Sequence, residues 1–225
     1  MIIKVCGLRE AENIRRVEML EVDWLGFIFY PPSPRYVPEN SENVEAIGRC
    51  TKNKVGVFVN ETVGCMLEKA KLFQLDILQL HGNETPEACL ELRHYGYPVI
   101  KAFSIAAATD FHQTERYQNC CDYYLFDTPC AGFGGSGKRF SWNLLSAYQG
   151  ETPFFLSGGI TPDCSADIMR LNHPRFVGID LNSGFEIYPA LKDVRKISDF
   201  ITTLGHYFTE NHREDTENHR VFLKI

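Results

Sequence analysis

Short apolar runs alternate with longer stretches in which apolar residues recur every three or four positions, and this rhythm repeats along most of the chain. The runs predict strands at Ile2–Cys6, Trp24–Phe29, Lys54–Val59, Ile77–Leu80, Val99–Phe103, Tyr123–Phe126, Phe154–Leu156 and Phe176–Ile179. They carry Val, Ile, Phe and Tyr, and they stop at Gly, Pro, Asn, Asp or Ser, residues that favour turns over pleated structure. Between them the period changes from two to about 3.6. Val63, Met66, Leu67, Ala70 and Phe73 line one predicted helical face, and Leu191, Val194, Ile197, Ile201 and Leu204 line another. At Thr161-Pro162-Asp163 a capping Thr precedes a Pro in the first turn, which predicts a helix start.

Eight strand–helix repeats within 225 residues predict an α/β protein, a single TIM (β/α)8 barrel. An open doubly wound sheet is the alternative, but it more often follows strand one with a glycine-rich turn, and Cys6-Gly7-Leu8 is not one. No linker or shift in composition divides residues 1–208, which are therefore expected to form one catalytic-sized domain. Residues 209–225 differ: TENHR at Thr209–Arg213 returns at Thr216–Arg220, and the segment reads as a polar C-terminal extension. Its His212 and His219 read as solvated residues rather than metal ligands.

Composition narrows the class. Hydrophobic residues make up 44% and charged residues 23%, ordinary for a globular domain with a full core. The net charge is −6 and Lys and Arg are not clustered, so neither nucleic acid nor an anionic membrane surface is an expected partner. The MIIKVCGLRE segment lacks the pattern of a signal peptide, and no apolar run reaches membrane-spanning length. The eight cysteines contain no C-x-x-C spacing, so a disulfide framework, a zinc site and a redox motif are not expected. They read as reduced thiols in a cytoplasmic protein, Cys120-Cys121 among them at the start of a strand.

In a parallel barrel the chemistry sits at the C-terminal ends of the strands. The residues that fall there are Cys6, the Pro31–Tyr36 loop, Asn60, His81, Asp127, Gly158-Gly159 and Asp180–Gly184. A lone Cys usually serves as a small hydrophobe. Cys6 instead ends strand one, with Ile2 and Lys4 on its face and Ile3 and Val5 on the other. Gly158-Gly159, leading into Thr161, and Asp180-Leu181-Asn182-Ser183-Gly184 follow strands seven and eight. Small residues there let backbone N–H groups approach an anion, and this pair of loops is where such barrels hold phosphate. Asp127 begins a loop containing Gly134–Gly137. It reads either as a cap or as an acid, and the glycines either as a plain connection or as a cover over a ligand.

In combination these segments resemble the phosphoribosylanthranilate isomerase family of tryptophan biosynthesis. The resemblance is carried by Lys4–Leu8 (KVCGL), Gly26–Val37 (GFIFYPPSPRYV), Lys54–Val59 (KVGVFV), Leu78–Gly82 (LQLHG), Phe126–Thr128 (FDT), Gly134–Trp142 (GGSGKRFSW), Phe155–Ile160 (FLSGGI) and Gly178–Glu186 (GIDLNSGFE), in family order over about residues 1–205. Ser136 and Ser141 depart conservatively from the family pattern at the sixth loop. The duplicated tail has no counterpart in it.

The resemblance implies an Amadori rearrangement of a small phosphorylated substrate, without cofactor or metal, by a monomer or homodimer. It makes Cys6 the general base and Asp127 the general acid. Arg35 becomes the candidate for the anthranilate carboxylate, because guanidinium presents a planar fork. His81 faces the same rim, either as a ligand contact or as a structural histidine. The phosphate falls to Gly158, Gly159, Asp180, Asn182, Ser183 and Gly184. With ordinary values of about 8.5 for Cys and about 3.9 for Asp, neutral pH leaves few thiolates and fewer protonated carboxyls, so the site is expected to shift at least one of them. Three other readings compete. An indole-glycerol-phosphate synthase would need a catalytic Lys on the barrel strands and an extension ahead of strand one. A histidine-pathway isomerase would carry aspartates at the ends of strands one and five, where this chain has Cys6 and Phe103-Ser104. A non-catalytic phosphate-binding barrel would need neither acid nor base.

Overall fold

A computed structural model describes residues 1–128 and 141–205. The Gly134–Gly137 loop and the duplicated tail lie outside the described residues. Eight parallel strands close into a barrel in sequence order: β1 (Ile2–Cys6), β2 (Trp24–Ile28), β3 (Asn53–Phe58), β4 (Ile77–Leu80), β5 (Val99–Ser104), β6 (Tyr123–Asp127), β7 (Phe154–Leu156) and β8 (Phe176–Leu181). The predicted strands differ from these by a residue or two at their ends. β1 pairs with both β2 and β8, which closes the sheet, and its register on β8 sets Lys4 against Asp180.

The crossovers use helices α1 (Ala11–Glu18), α2 (Ser41–Gly48), α3 (Val63–Leu72), α4 (Pro86–His94) and α5 (Ser165–Met169), with α6 over 194–205. Asn40, Thr62 and Thr85 cap α2, α3 and α4 by accepting from backbone N–H groups three residues on. Two crossovers are 3₁₀ segments instead, Ala108–Tyr117 and Trp142–Ala147. After β8 a turn at Ser183–Phe185 leads into a small antiparallel hairpin, β9 (Glu186–Tyr188) with β10 (Leu191–Lys192). Leu191 therefore does not belong to the final helix, as its spacing predicts. It lies in β10, with Asp193 and its side-chain bonds to the N–H groups of Arg195 and Lys196 standing between the hairpin and α6.

Alternation along the strands makes two cores. Ile3 and Val5 point outward to the helices, whereas Trp24, Val55, Ile77, Ile100, Leu125 and Phe155 fill the barrel, with Ile2, Tyr123 and Val177 at its edge. The Trp24 ring lies 4.9 Å from Phe155 and 5.5 Å from Tyr123. Met19 is exposed, Leu20 packs against the outer core and Trp24 is inside the barrel. At the N-terminal ends of the strands, aspartates tie neighbours together. Asp23, Asp76 and Asp122 accept from the N–H groups of Ile3, Lys54 and Val99, satisfying donors that the ladder leaves open.

At the opposite end Glu84 organises the loops after β3 and β4. Its carboxylate accepts from the N–H groups of Asn60 (2.7 Å) and Gly82 (3.0 Å). It is balanced by buried Lys101 at 3.3 Å, whose ammonium also donates to the carbonyls of Leu80, Gly82 and Ala102. Removing one partner of such a pair leaves a buried charge uncompensated, at a cost of about 3–5 kcal/mol. Lys101→Met is therefore expected to lower the unfolding free energy by that order in chemical denaturation. A loss below about 1 kcal/mol would mean that the pair is not a stabilising element.

Candidate active site

Every strand-end residue of interest lies on one rim, because all eight strands run the same way. Cys6 ends β1 inside the barrel at 3% exposure. Lys4, on the same face two residues earlier, is wholly buried and donates to Asp180 Oδ1 at 2.9 Å. Its positive charge acts on the Cys6 side chain as well. Burial pushes the Cys6 thiol up from its ordinary value, while the charges of Lys4 and Lys192 pull against it. For Lys4 itself burial opposes the ammonium, but Asp180 and Cys6 outweigh it and hold the pKa above the usual lysine value.

Asp127 ends β6. Its Oδ1 accepts from the Thr128 N–H at 2.7 Å, and its Oδ2 lies 3.3 Å from His81 Nε2. Gln79, on the same face of β4 as His81, places Nε2 2.9 Å from His81 Nδ1. With the Gln79 amide donating, Nδ1 is the acceptor, and the ring proton sits on Nε2, aimed at Asp127. Gln79 Oε1 is buried without a partner among the described residues. Turned over, the same amide would accept from an Nδ1–H, so Gln79 can serve either protonation state of the ring. A cavity of about 450 Å³ opens beside this pair, lined by His81, Asp127, Ser104, Gln113 and Tyr117 among others.

Gly158 and Gly159 follow β7 with φ of +79° and +67°, the left-handed region that glycine enters without strain. A Cβ at Gly158 would run into Asp127 Oδ1 and stand 2.5 Å from the Thr128 N–H nitrogen. The loop after β8 meets the loop after β7 where Gly184 lies against the Ile160 carbonyl. Ser183 and Gly184 are partly exposed there, beside Gly158 and Gly159 on the same rim.

Three expected ligand residues are already engaged. Asp180 does not face the phosphate loops: its carboxylate is buried in the pair with Lys4. Arg35, 8% exposed, spends Nε (2.8 Å) and Nη2 (2.6 Å) on the two oxygens of Glu186, while Nη1 makes no hydrogen bond among the described residues. Asn182 Oδ1 accepts from Lys192 Nζ at 2.7 Å. Lys4, Gln79, Glu186 and Lys192 thus belong to the site although no role in it is legible for them in the sequence. The one signal was Lys4, a charged residue on the inward face of a strand. Among the described residues no cluster of three His, Cys, Asp or Glu side chains could hold a metal ion. No helix there is long and apolar enough to cross a membrane.

The family model described as N-(5'phosphoribosyl)anthranilate (PRA) isomerase matches residues 3–203. An N-(5'-phosphoribosyl)anthranilate isomerase of Parabacteroides distasonis is 54% identical over 215 residues, covering 95% of this chain and 97% of the relative. One from Phocaeicola vulgatus is 52% identical, covering 91% and 98%. Among solved structures, the phosphoribosyl anthranilate isomerase of Thermus thermophilus superposes with a TM-score of 0.79 at 27% identity, over 92% of this chain and all of that one. A phosphoribosyl anthranilate isomerase in complex with reduced 1-(o-carboxyphenylamino)-1-deoxyribulose 5-phosphate gives 0.75 at 28%, with the same coverage. A cysteine base candidate, an aspartate acid candidate and two abutting glycine loops on one barrel rim are thus found in a chain that belongs to the N-(5'-phosphoribosyl)anthranilate isomerase family.

Proposed function

We propose that Cys6 and Asp127 are the general base and general acid of the family's reaction in tryptophan biosynthesis. That reaction converts N-(5-phospho-β-D-ribosyl)anthranilate to 1-(2-carboxyphenylamino)-1-deoxy-D-ribulose 5-phosphate. The observation that carries the assignment is the placement of both residues at strand ends of the same rim, beside the paired glycine loops. Asp127 delivers a proton to the furanose oxygen, and the ring opens to an iminium at C1′. Cys6 thiolate then removes the C2′ proton, giving an enol-amine. Protonation at C1′ and loss of the enol O–H proton from the oxygen on C2′ complete the ketone, so no net proton is gained or lost. His81, with Nε2 3.3 Å from Asp127 Oδ2, orients the carboxyl and offers a path for its proton.

The phosphate is held between Gly158-Gly159 and Asn182–Gly184, chiefly by backbone N–H groups. Arg35 meets the anthranilate carboxylate with the donors that Glu186 leaves over, Nη1 foremost, rather than with its full fork. Asp180 acts through Lys4 and not on the ligand. We place the catalytic domain at residues 1–208, with 209–225 as an appendage outside the chemistry. The described cysteines are all free thiols, in keeping with the reducing cytoplasm, where we place this biosynthetic enzyme. A phosphorylated small molecule is its partner, as monomer or homodimer.

Cys6→Ala and Asp127→Asn are each expected to lower kcat by at least about 100-fold, with KM little changed, because a positioned proton-transfer group contributes about 10²–10⁴-fold. The base must be unprotonated while the acid is protonated, so between the two titrations their opposing pH dependences cancel. Because burial raises the Cys6 thiol, wild-type kcat is expected to hold a plateau through neutral pH and to fall only above the ordinary thiol range of about 8.5. Cys6→Ala should lose that plateau. Near wild-type turnover in either variant contradicts these two roles. Gly159→Asp sets a carboxylate against the phosphate and is expected to raise KM at least tenfold, on the order of one charge–charge clash. An unchanged KM would remove the phosphate from these loops.

A further inference from the structure

Lys192 stands on β10, outside the eightfold repeat, with its side chain fully enclosed. Its ammonium donates to Asn182 Oδ1 and to Glu186 Oε1, each at 2.7 Å. The same Glu186 oxygen accepts from Arg35 Nε at 2.8 Å, and the other from Arg35 Nη2 at 2.6 Å. One carboxylate is therefore shared by two cations, leaving the cluster with a surplus of one positive charge. A Cβ built on Gly7 would stand 2.7 Å from Arg35 Cδ, 2.9 Å from Asn182 Oδ1 and 3.4 Å from Lys192 Nζ. The cluster thus lies against the turn that follows Cys6.

Without Lys192, Glu186 would cancel Arg35, and this side of the rim would offer no net charge to an anion. Stability alone does not call for a third member. Burying an ammonium is costly, and apolar replacements of buried ions are often neutral or stabilising. The arrangement instead keeps Arg35 fixed by its bidentate bond and still electropositive.

We propose that Lys192 is a positioning residue for the isomerisation: by balancing Glu186 it leaves Arg35 an unneutralised positive charge for the substrate carboxylate. The proposal rests on the reading of Arg35 as the carboxylate contact. The groups facing Lys192 are Glu186 from β9, Arg35 from the loop after β2, Asn182 from the loop after β8 and Cys6 from β1. Asp180 and Lys4 beyond them neutralise each other. Burial, with Arg35 adding to it, brings Lys192 down to about 8 although Glu186 pulls upward. Burial also disfavours the Glu186 carboxylate, but Arg35 and Lys192 together outweigh it and keep it below the ordinary range. Glu186 thus stays ionised across neutral and alkaline pH. A carboxylate bound at Arg35 favours protonated Lys192, so its affinity is constant below about pH 8 and falls as pH rises beyond.

The test measures calorimetric Kd for two ligands between pH 7 and 9.5. One is reduced 1-(o-carboxyphenylamino)-1-deoxyribulose 5-phosphate, and the other is the same compound lacking the carboxyl group. Wild type and Lys192→Met are compared. At pH 7 the variant is expected to bind the carboxylated ligand on the order of tenfold more weakly and the other ligand unchanged. In wild type the preference for the carboxylated ligand should decline above pH 8. The ratio of the two affinities removes the titration of Cys6, which both ligands share, and the wild-type series stands if Lys192→Met does not fold. A preference that neither Lys192→Met nor alkaline pH alters overturns the proposal, as does an equal loss for both ligands in the variant. A wild type that binds the two ligands equally at pH 7 overturns the reading of Arg35 itself.

Discussion

The ion pair between Lys4 and Asp180 is the constraint on which the rim is built. Its partners lie 176 residues apart and meet only because β1 pairs with β8 when the barrel closes. Both are buried, so neither charge can be left without the other. The pair fixes the C-terminal end of β1, and with it Cys6, the thiol we propose as the base. It also sets that thiol's electrostatic surroundings: Lys4 favours the thiolate, and Asp180 and burial oppose it.

Two further buried charge clusters tie loops to strands at the same end. Lys101 and Glu84 hold the loops after β3 and β4, and so the backbone from which His81 projects. Glu186 joins the loop after β2 to the hairpin after β8 through Arg35 and Lys192. The barrel interior below is apolar, filled by Trp24, Phe155 and their neighbours. Within the barrel interior, charge among the described residues thus lies at the C-terminal rim, enclosed enough that fixed dipoles and ions act at short range.

Much of this was legible in the sequence, and what was not has a physical reason. The strands could be read because parallel barrel strands are short, apolar and bounded by turn residues. The candidate site could be read because Cys6, His81, Asp127 and Gly158-Gly159 stand at or just beyond their ends. Arg35 was legible as a cation on a loop, but not as one already bonded to Glu186, since that contact spans 151 residues of sequence. Lys192 stayed hidden for the same reason, and because Leu191 fits the periodicity of the following helix while the chain pairs as a hairpin. The 3₁₀ crossovers lack a strong apolar period, so no local signal separated them from helix.

If this buried charge layer governs the protonation of Cys6, a titration of that thiol will show it. The thiolate absorbance of wild type minus that of Cys6→Ser, followed against pH, isolates the Cys6 step. Burial is expected to place the step above the ordinary thiol range of about 8.5. In Asp180→Asn the step is expected to move down, because removing that carboxylate removes a charge opposing the thiolate. A step at or below the ordinary range, or one that Asp180→Asn leaves in place, would contradict the control of Cys6 by its charged neighbours.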